Sequence, residues 1–181
     1  STSWAGSSFY MINHGFSTAG LFLVAGMLIS RRGSKRIPDF GGWQRVVPGL
    51  AGVWLIAGLS GLALPGLGSF VSEFLVLAGT YQRYQVVAII ATTGIILAAL
   101  YILLMYQRTM TGAKPESAAG TPDLSLREKW VVAPLIALFI VLGFYPKPVL
   151  DMVTPAVTTI LTSIQVSDPA PVVGAAEGST K

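Results

Sequence analysis

Three runs of about twenty apolar residues each could cross a lipid bilayer as one helix. They cover residues 9–29, 46–64 and 86–106. Of the 181 residues, 52% are hydrophobic and only 11% are charged, whereas about a quarter of the residues in a soluble domain carry charge. The sequence therefore predicts an all-α fold with lipid as its main solvent: a polytopic bundle of transmembrane helices.

Two more apolar segments follow the polar loop of residues 107–129. The first, residues 130–144, reaches spanning length if the charged residues before it snorkel, so we predict a span over about 127–145. The second, residues 151–164, carries apolar residues at helical spacing with Thr and Ser opposite: Val153, Val157, Ile160, Leu161 and Ile164. We predict a C-terminal amphipathic helix within residues 147–166 and a disordered tail over residues 167–181.

Composition excludes several classes of site. The chain has no Cys and one His, which excludes disulfides, thiolate metal sites, iron–sulfur ligation and sites built on several His ligands. The net charge of +4 is small and comes with no basic face, so we expect no nucleic-acid binding. The start, with neither Met nor a basic n-region, is unlike a signal peptide, and we expect a C-terminal fragment of a longer protein.

The segment LALPGLGSFVSEFLVLAG, residues 62–79, breaks its own apolar run. Pro65 removes a backbone donor and clashes with the preceding helical turn. Gly66 and Gly68 are predicted to give the loop its turning freedom. Because residues 69–80 are too short to span alone, we predict one discontinuous helix over residues 46–80, broken at 65–68.

The basic residues favour a single crossing by that discontinuous helix. If the spans alternate, nine of the twelve Lys and Arg residues lie on one side, which the positive-inside rule makes cytoplasmic. A second crossing within residues 46–80 would remove this asymmetry. The nine are Arg31, Arg32, Lys35, Arg36, Arg45, Arg108, Lys114, Arg127 and Lys129.

Glu73 is the one acid, of eight, in the interior of a predicted span; the others lie in loops, at span ends or in the tail, where a solvated role is the default. Insertion scales put the cost of an acid such as Asp at a helix centre at roughly 2.5–3.5 kcal/mol, so a retained carboxyl is paired, neutral or used. Broken helices mark ion sites in transporters, and their freed backbone groups lie in protein or line a wet cavity. We therefore favour proton exchange by Glu73 over the alternative, a structural carboxyl bonded across helices.

His14 is the second candidate, within MINHGFSTAG of the first span. The small and hydroxyl residues that follow it allow close helix approach and polar contacts. A wet His titrates near neutral pH, whereas a His bonded in a packed core stays neutral, and both alternatives remain open. With no nucleophile–base pair or phosphate cradle in the sequence, we expect no covalent or redox chemistry from this chain alone.

The segments MINHGFSTAGLFLVAGML, RR, FGGW, LALPGLGSFVSEFLVLAG, LSLREKW and LGFYPKPVLD follow one another in this order. Together they resemble the antiporter-like membrane subunits of bacterial NADH-quinone oxidoreductase, respiratory complex I, and within these the C-terminal part of subunit M. The resemblance extends to about residue 166. It implies kinship with multi-subunit sodium/proton antiporters and a hydrated axis of protonatable residues along the membrane mid-plane.

The resemblance also assigns roles to positions. One broken helix of these subunits carries a charged residue near its break, Lys in sister subunits L and N and Glu in subunit M, and Glu73 matches that Glu. His14 matches the axis histidine of the preceding helix. Ser72 stands where the family often has Gly, and we predict that its hydroxyl bonds the Glu73 carboxyl or a water. The other broken helix and a Glu–Lys pair would lie upstream, which leaves the outer half of a proton path here.

Together, these expectations predict a membrane-arm subunit that takes part in redox-driven proton translocation. Redox work elsewhere shifts charge along the axis, Glu73 exchanges a proton with water, and His14 relays it inward. By the resemblance, this chain holds no cofactor, and NAD, FMN, iron–sulfur clusters and quinone belong to partner subunits. The implied partners are subunits L and N, small membrane subunits and the lipid bilayer, in a bacterial inner membrane.

Two alternatives remain at this stage. The chain could be part of a multi-subunit cation/proton antiporter, although Glu in place of Lys at position 73 argues against it. It could also be a purely structural membrane anchor in which Glu73 and His14 only hold helices together.

Overall fold

A computed structural model describes residues 1–168, and the regular structure within this range is helical throughout. Its α-helices are α1 (Thr2–Arg32), α2 (Pro48–Gly61), α3 (Gly68–Tyr81), α4 (Gln85–Met110), α5 (Leu126–Phe144) and α6 (Lys147–Ser163). The predicted all-α class is confirmed. From residue 169 onward, the tail predicted to be disordered lies outside the described residues.

Length and hydropathy distinguish the helices that could cross a membrane alone from those that could not. Within residues 1–168, α1 and α4 are each long and apolar enough to cross a membrane alone. Helix α5 passes the same test only together with α6, and the two are bent by 70° at the residues that join them. This bend turns α6 well away from the direction of α5. Helix α6 buries Val157 and Leu161 and leaves a face rich in threonine exposed.

Helices α2 and α3 are the two halves of one discontinuous helix that runs antiparallel to α1. Residues in close contact pair in opposite order along the two elements: Leu21 with Gly61, Asn13 with Gly68, and Ser3 with Gly79. Helix α3 therefore continues past α1 in the direction that α2 began. This arrangement confirms the predicted discontinuous helix.

The interruption covers residues 62–67, slightly earlier than the predicted 65–68. Helix α2 stops before Pro65 because Ala63 takes φ = 59°, a conformation rare for residues other than glycine. Pro65 also disfavours helical geometry at the residue before it. Gly66, with φ = 96°, makes the turn into α3.

Gly68 has a different role from the predicted one. It is the first residue of α3 and is absent from the glycines with positive φ, so it supplies no turning freedom. A Cβ at Gly68 would lie 2.5 Å from Oδ1 of Asn13 and 2.9 Å from Cβ of Leu142. Glycine is needed here because α1 and α5 approach the start of α3 so closely.

The loops that carry most of the basic residues lie at one end of the bundle, as alternating spans require. The Gly41 amide donates to the Thr109 carbonyl at 3.0 Å, and the Gly42 amide donates to the Thr111 carbonyl at 2.8 Å. We call this the basic end, residues 31–47 and 107–129. Its buried cluster comprises Val24, Leu28, Trp43, Val47, Leu50, Ala51, Trp54, Met110 and Ala118.

An ion pair closes the basic end. The Arg31 guanidinium donates to both carboxylate oxygens of Glu128, at 2.9 and 2.7 Å, and also to the Pro122 carbonyl at 2.9 Å. Bidentate pairs of this kind fix orientation as well as adding energy. Arg31 thus fastens the loop after α4 to the end of α1, in addition to contributing charge to this side. Glu128 is correspondingly paired, in contrast to the solvated role that is the default for an acid at a span end.

Asp123 caps α2 from a distant part of the chain. The residue before this helix is Val47, which has no polar side-chain atom to accept from the first amides. Asp123 accepts from the Gly49 and Leu50 amides instead, at 2.7 and 2.9 Å. Burial raises the pKa of Asp123, but the backbone donors and nearby Arg31 outweigh it, so the pKa lies below its ordinary value.

Replacing Asp123 with Ala is expected to cost about 1 kcal/mol of stability, as for loss of a helix cap. Because the folded-state pKa lies below the ordinary value of about 3.9, this contribution is complete at neutral pH and disappears as the pH falls through the lowered pKa. Thermal denaturation of the solubilised full-length protein checks this: the gap between wild type and Asp123→Ala should persist at pH 5 and close only below about pH 4.

The matched control for this prediction is Glu116→Ala, because Glu116 is an exposed acid of the same loop. We expect no measurable shift for the control. Equal thermal stability of wild type and Asp123→Ala at pH 7 would show that the cap contributes nothing.

Candidate proton-exchange site

Glu73 lies in the second turn of α3, close after the interruption, and is partly buried. It lines a cavity of about 350 Å³, together with Tyr10 of α1 and Tyr101 of α4. Gly61 at the end of α2 touches the same cavity, which therefore reaches the interruption. The volume has room for roughly ten water molecules at liquid density.

Helix α4 leaves this space open because three of the five residues that it contributes to the cavity lining are small. Ala91, Gly94 and Ala98 recur at helical spacing and line the cavity opposite Glu73. Larger side chains at these positions would fill the space beside the carboxyl. The small residues of α4 thus leave room for the cavity. From the sequence alone, α4 stands out only as an apolar helix.

Tyr10 lies next to both the Glu73 cavity and His14. Its side chain lines the same cavity as Glu73. Its ring stacks on the imidazole of His14, with centroids 5.5 Å apart and planes inclined by 23°. His14 is exposed and is not among the residues that line the Glu73 cavity, so Tyr10 links this cavity to His14.

Sequence reasoning missed Tyr10, although a signal was present. Tyr10, His14 and Thr18 follow one another at intervals of four residues, which places them on one face of α1. Oγ1 of Thr18 lies 3.4 Å from Nε2 of His14 and continues the row. A row of polar groups at helical spacing within an apolar helix is the pattern that would have identified Tyr10.

Asn13 fixes the start of α3 against α1. Its Nδ2 donates to the Gly68 carbonyl at 2.9 Å and to Oγ of Ser72 at 3.1 Å, and its side chain is buried. Ser72 in turn donates to the Ser69 carbonyl at 2.9 Å. The expected bond from Ser72 to the Glu73 carboxyl or a water is therefore a wrong prediction, because Ser72 faces α1 and its one hydrogen is already used.

Helix α5 holds the interruption from the other side. Gly143 lies directly against the backbone of Gly66 and Leu67, and Leu142 packs against Gly68. Pro65, by contrast, is exposed, so its part is to end the helix by backbone restriction. The interruption is thus clamped between α1 and α5, and Glu73 follows directly from the clamped segment.

Replacing Asn13 with Leu is expected to weaken the contact between α1 and α3 by about 1 kcal/mol, in the range of interhelical hydrogen bonds in membranes. Leu has a similar volume but no donor for the Gly68 carbonyl. The midpoint of thermal denaturation of the solubilised full-length protein should fall. Asn13→Gln, which keeps the amide, should recover part of the loss, whereas an unchanged midpoint for Asn13→Leu would remove Asn13 from this role.

The chemistry available at this site is narrow. Within residues 1–168, no group of three or more His, Cys, Asp and Glu side chains is placed to hold a metal ion. What the site offers is one carboxyl, two phenols that line the same cavity and a space large enough for water. Such an arrangement can bind, release and orient a proton.

The sequence of the chain is similar to those of known proteins. The model of the family described as NADH:quinone oxidoreductase/Mrp antiporter, transmembrane, matches residues 1–99. The chain is 53% identical to NADH-quinone oxidoreductase subunit M of Mycobacterium tuberculosis (strain ATCC 25618 / H37Rv) over 167 residues, 92% of this chain and 30% of that protein. It is 37% identical to subunit M of Escherichia coli (strain K12) over 150 residues, 82% of this chain and 30% of that protein.

The fold is also similar to a solved structure. A chain of respiratory complex I from Thermus thermophilus, determined with bound NADH, superposes with a TM-score of 0.76 at 30% identity, covering 88% of this chain and 35% of that one. The present chain thus spans about a third of the length of the relatives it matches. The match of the family model over more than half of its residues shows that the chain belongs to the NADH:quinone oxidoreductase/Mrp antiporter transmembrane family.

Proposed function

We propose that this chain is part of an M-type membrane-arm subunit of a proton-translocating NADH-quinone oxidoreductase and that Glu73 exchanges the translocated proton. One observation carries the proposal: the only acid inside the discontinuous helix lines a cavity that is large enough for water and reaches the interruption. An acid in the membrane interior is functional by default. The names of the relatives support the choice of complex.

The proposed mechanism is electrostatic. Redox chemistry in partner subunits changes the charge of groups next to this chain, and that change alters the affinity of Glu73 for a proton. Water in the cavity supplies or receives the proton, and His14 passes it toward the upstream half of the path.

The remaining parts of the proposal concern setting. NAD, FMN, iron–sulfur clusters and quinone would be held by partner subunits, and this chain would contact sister subunits L and N, small membrane subunits and lipid. The excess of Lys and Arg at the basic end supports a cytoplasmic position for that end, with the protein in the inner membrane of a bacterium. Helix α6 would then lie along the opposite surface.

A cation/proton antiporter subunit is the second candidate, because the matching family includes the Mrp antiporters. Such a protein uses an existing ion gradient and needs no electron donor. Glu at position 73, where the resemblance gives Lys to sister subunits, favours the redox-driven complex. A purely structural anchor would need neither the cavity nor the carboxyl.

The experiment uses the full-length protein in its native membranes. The gene is deleted and restored, and inverted vesicles are assayed with a fluorescent dye for proton uptake, first with NADH and then with a sodium gradient alone. We expect uptake with NADH only, lost on deletion and regained on restoration. Proton uptake driven by sodium without NADH would assign the chain to an antiporter. Unchanged NADH-driven uptake after deletion would contradict the proposal.

A further inference from the structure

We propose that Tyr10 is a positioning residue of the proton path. Its hydroxyl donates a hydrogen bond to the Glu73 carboxylate, and its ring stacks on the imidazole of His14. The two protonatable groups then act as one unit across the α1–α3 interface. This inference rests on the proposed function, since it assigns a third residue to the same path.

Two observations place Tyr10 in this position. Its side chain lines the same cavity as Glu73. Its ring stacks on His14 with centroids 5.5 Å apart. His14 does not line the cavity, so Tyr10 is the cavity-lining residue that stacks on His14.

The backbone around Tyr10 is held firmly. Phe9 is fully buried, and Asn13 is buried and bonded to α3, so α1 is pinned before and after Tyr10. Gly6, one turn earlier, lies directly against Leu75 and Val76 of α3. A side chain on such a support keeps its distance to Glu73 better than one on a loop could.

A phenol suits this role because its hydroxyl can turn. It donates a hydrogen bond to an ionised carboxylate, and it accepts one from a protonated carboxylic acid. Tyr10 can therefore follow Glu73 through both protonation states without changing its own charge. Phenylalanine would preserve the stacking on His14 and the packing, but it could not make either bond.

Tyr106 provides a control outside the cavity. It lies on α4, is partly buried, and neither lines the Glu73 cavity nor stacks on His14. Tyr106→Phe removes one phenol hydroxyl from the same bundle without touching the proposed site. A difference between the two variants therefore reports the position of Tyr10 and not the loss of a tyrosine hydroxyl as such.

The experiment compares Tyr10→Phe, Tyr106→Phe and Glu73→Gln in the full-length protein within the assembled complex. NADH oxidation, proton uptake per NADH and the infrared carbonyl band assigned by Glu73→Gln are measured for each. For Tyr10→Phe, we expect normal assembly, a shifted carbonyl band and at least about a threefold loss of uptake per NADH, in line with loss of a hydrogen bond to a charged group. Tyr106→Phe should match wild type.

The outcomes separate this inference from the proposed function. If Glu73→Gln loses uptake but Tyr10→Phe pumps normally with an unshifted band, the role of Tyr10 is overturned and the function stands. If Glu73→Gln pumps normally, the proposed site itself fails and the inference falls with it. If Tyr10→Phe does not assemble, or if Tyr106→Phe has the same effect, the hydroxyl of Tyr10 has no positioning role.

Discussion

Glu73→Gln is expected to reduce NADH-driven proton uptake by at least about tenfold, because a positioned proton-transfer group contributes on the order of a hundredfold or more to the step it serves. Gln keeps the size and hydrogen-bonding capacity of Glu, so the cavity and the α1–α3 contact should survive. What is lost is the ability to take up and release a proton. Uptake is measured in inverted vesicles, with assembly checked on native gels.

The matched control for Glu73→Gln is Glu116→Gln, the same change at an exposed position of the loop before α5. The control should pump as wild type does. A normally assembled Glu73→Gln complex with undiminished uptake would make the carboxyl structural or redundant and would restore the anchor alternative.

Gly143→Val is expected to prevent accumulation of the assembled complex. A Cβ at Gly143 would overlap the Gly66 carbonyl and approach the backbone of Leu67, and backbone atoms cannot turn aside as a flexible side chain can. Overpacking in a core typically costs about 1–3 kcal/mol, and the fixed neighbours place this site at the upper end of that range or beyond it. Immunoblots of membranes and native gels measure the amount of assembled protein.

Gly52→Val serves as the comparison for Gly143→Val. Gly52 lies in α2, and within the described residues nothing stands within 4 Å of the position a Cβ would take. The same substitution should therefore be tolerated there. Normal amounts of an assembled Gly143→Val complex would show that the α5 clamp on the interruption is not required.

The parts of this fold that could be predicted from sequence are those with a periodic signal. Apolar runs of spanning length predict the helices, and Pro65 with the glycines after it predicts the discontinuous helix. The interruption itself begins earlier than predicted because Ala63 adopts positive φ, which its sequence context does not signal. Gly68 was misread for a related reason: only the structure shows that α1 and α5 press against it.

The site was predictable in its central residue and not in its surroundings. Glu73 stands out because an acid in an apolar span is rare. Tyr10 and Asn13 come from α1 and Ala91 comes from α4, and their roles depend on how these helices are aligned with α3. The direction of Ser72 was likewise decided by its contact with Asn13, which lies 59 residues earlier in the chain. Such pairings across helices leave no trace in local periodicity.

The most direct test of proton exchange at Glu73 is the infrared difference spectrum of the assembled complex before and after addition of NADH. We expect a carboxylic acid band that changes intensity on reduction, shifts in heavy water, is absent from Glu73→Gln and persists in Glu116→Gln. If wild type and Glu73→Gln give the same difference spectrum, Glu73 does not change protonation during turnover, and the proposed role of the discontinuous helix is wrong.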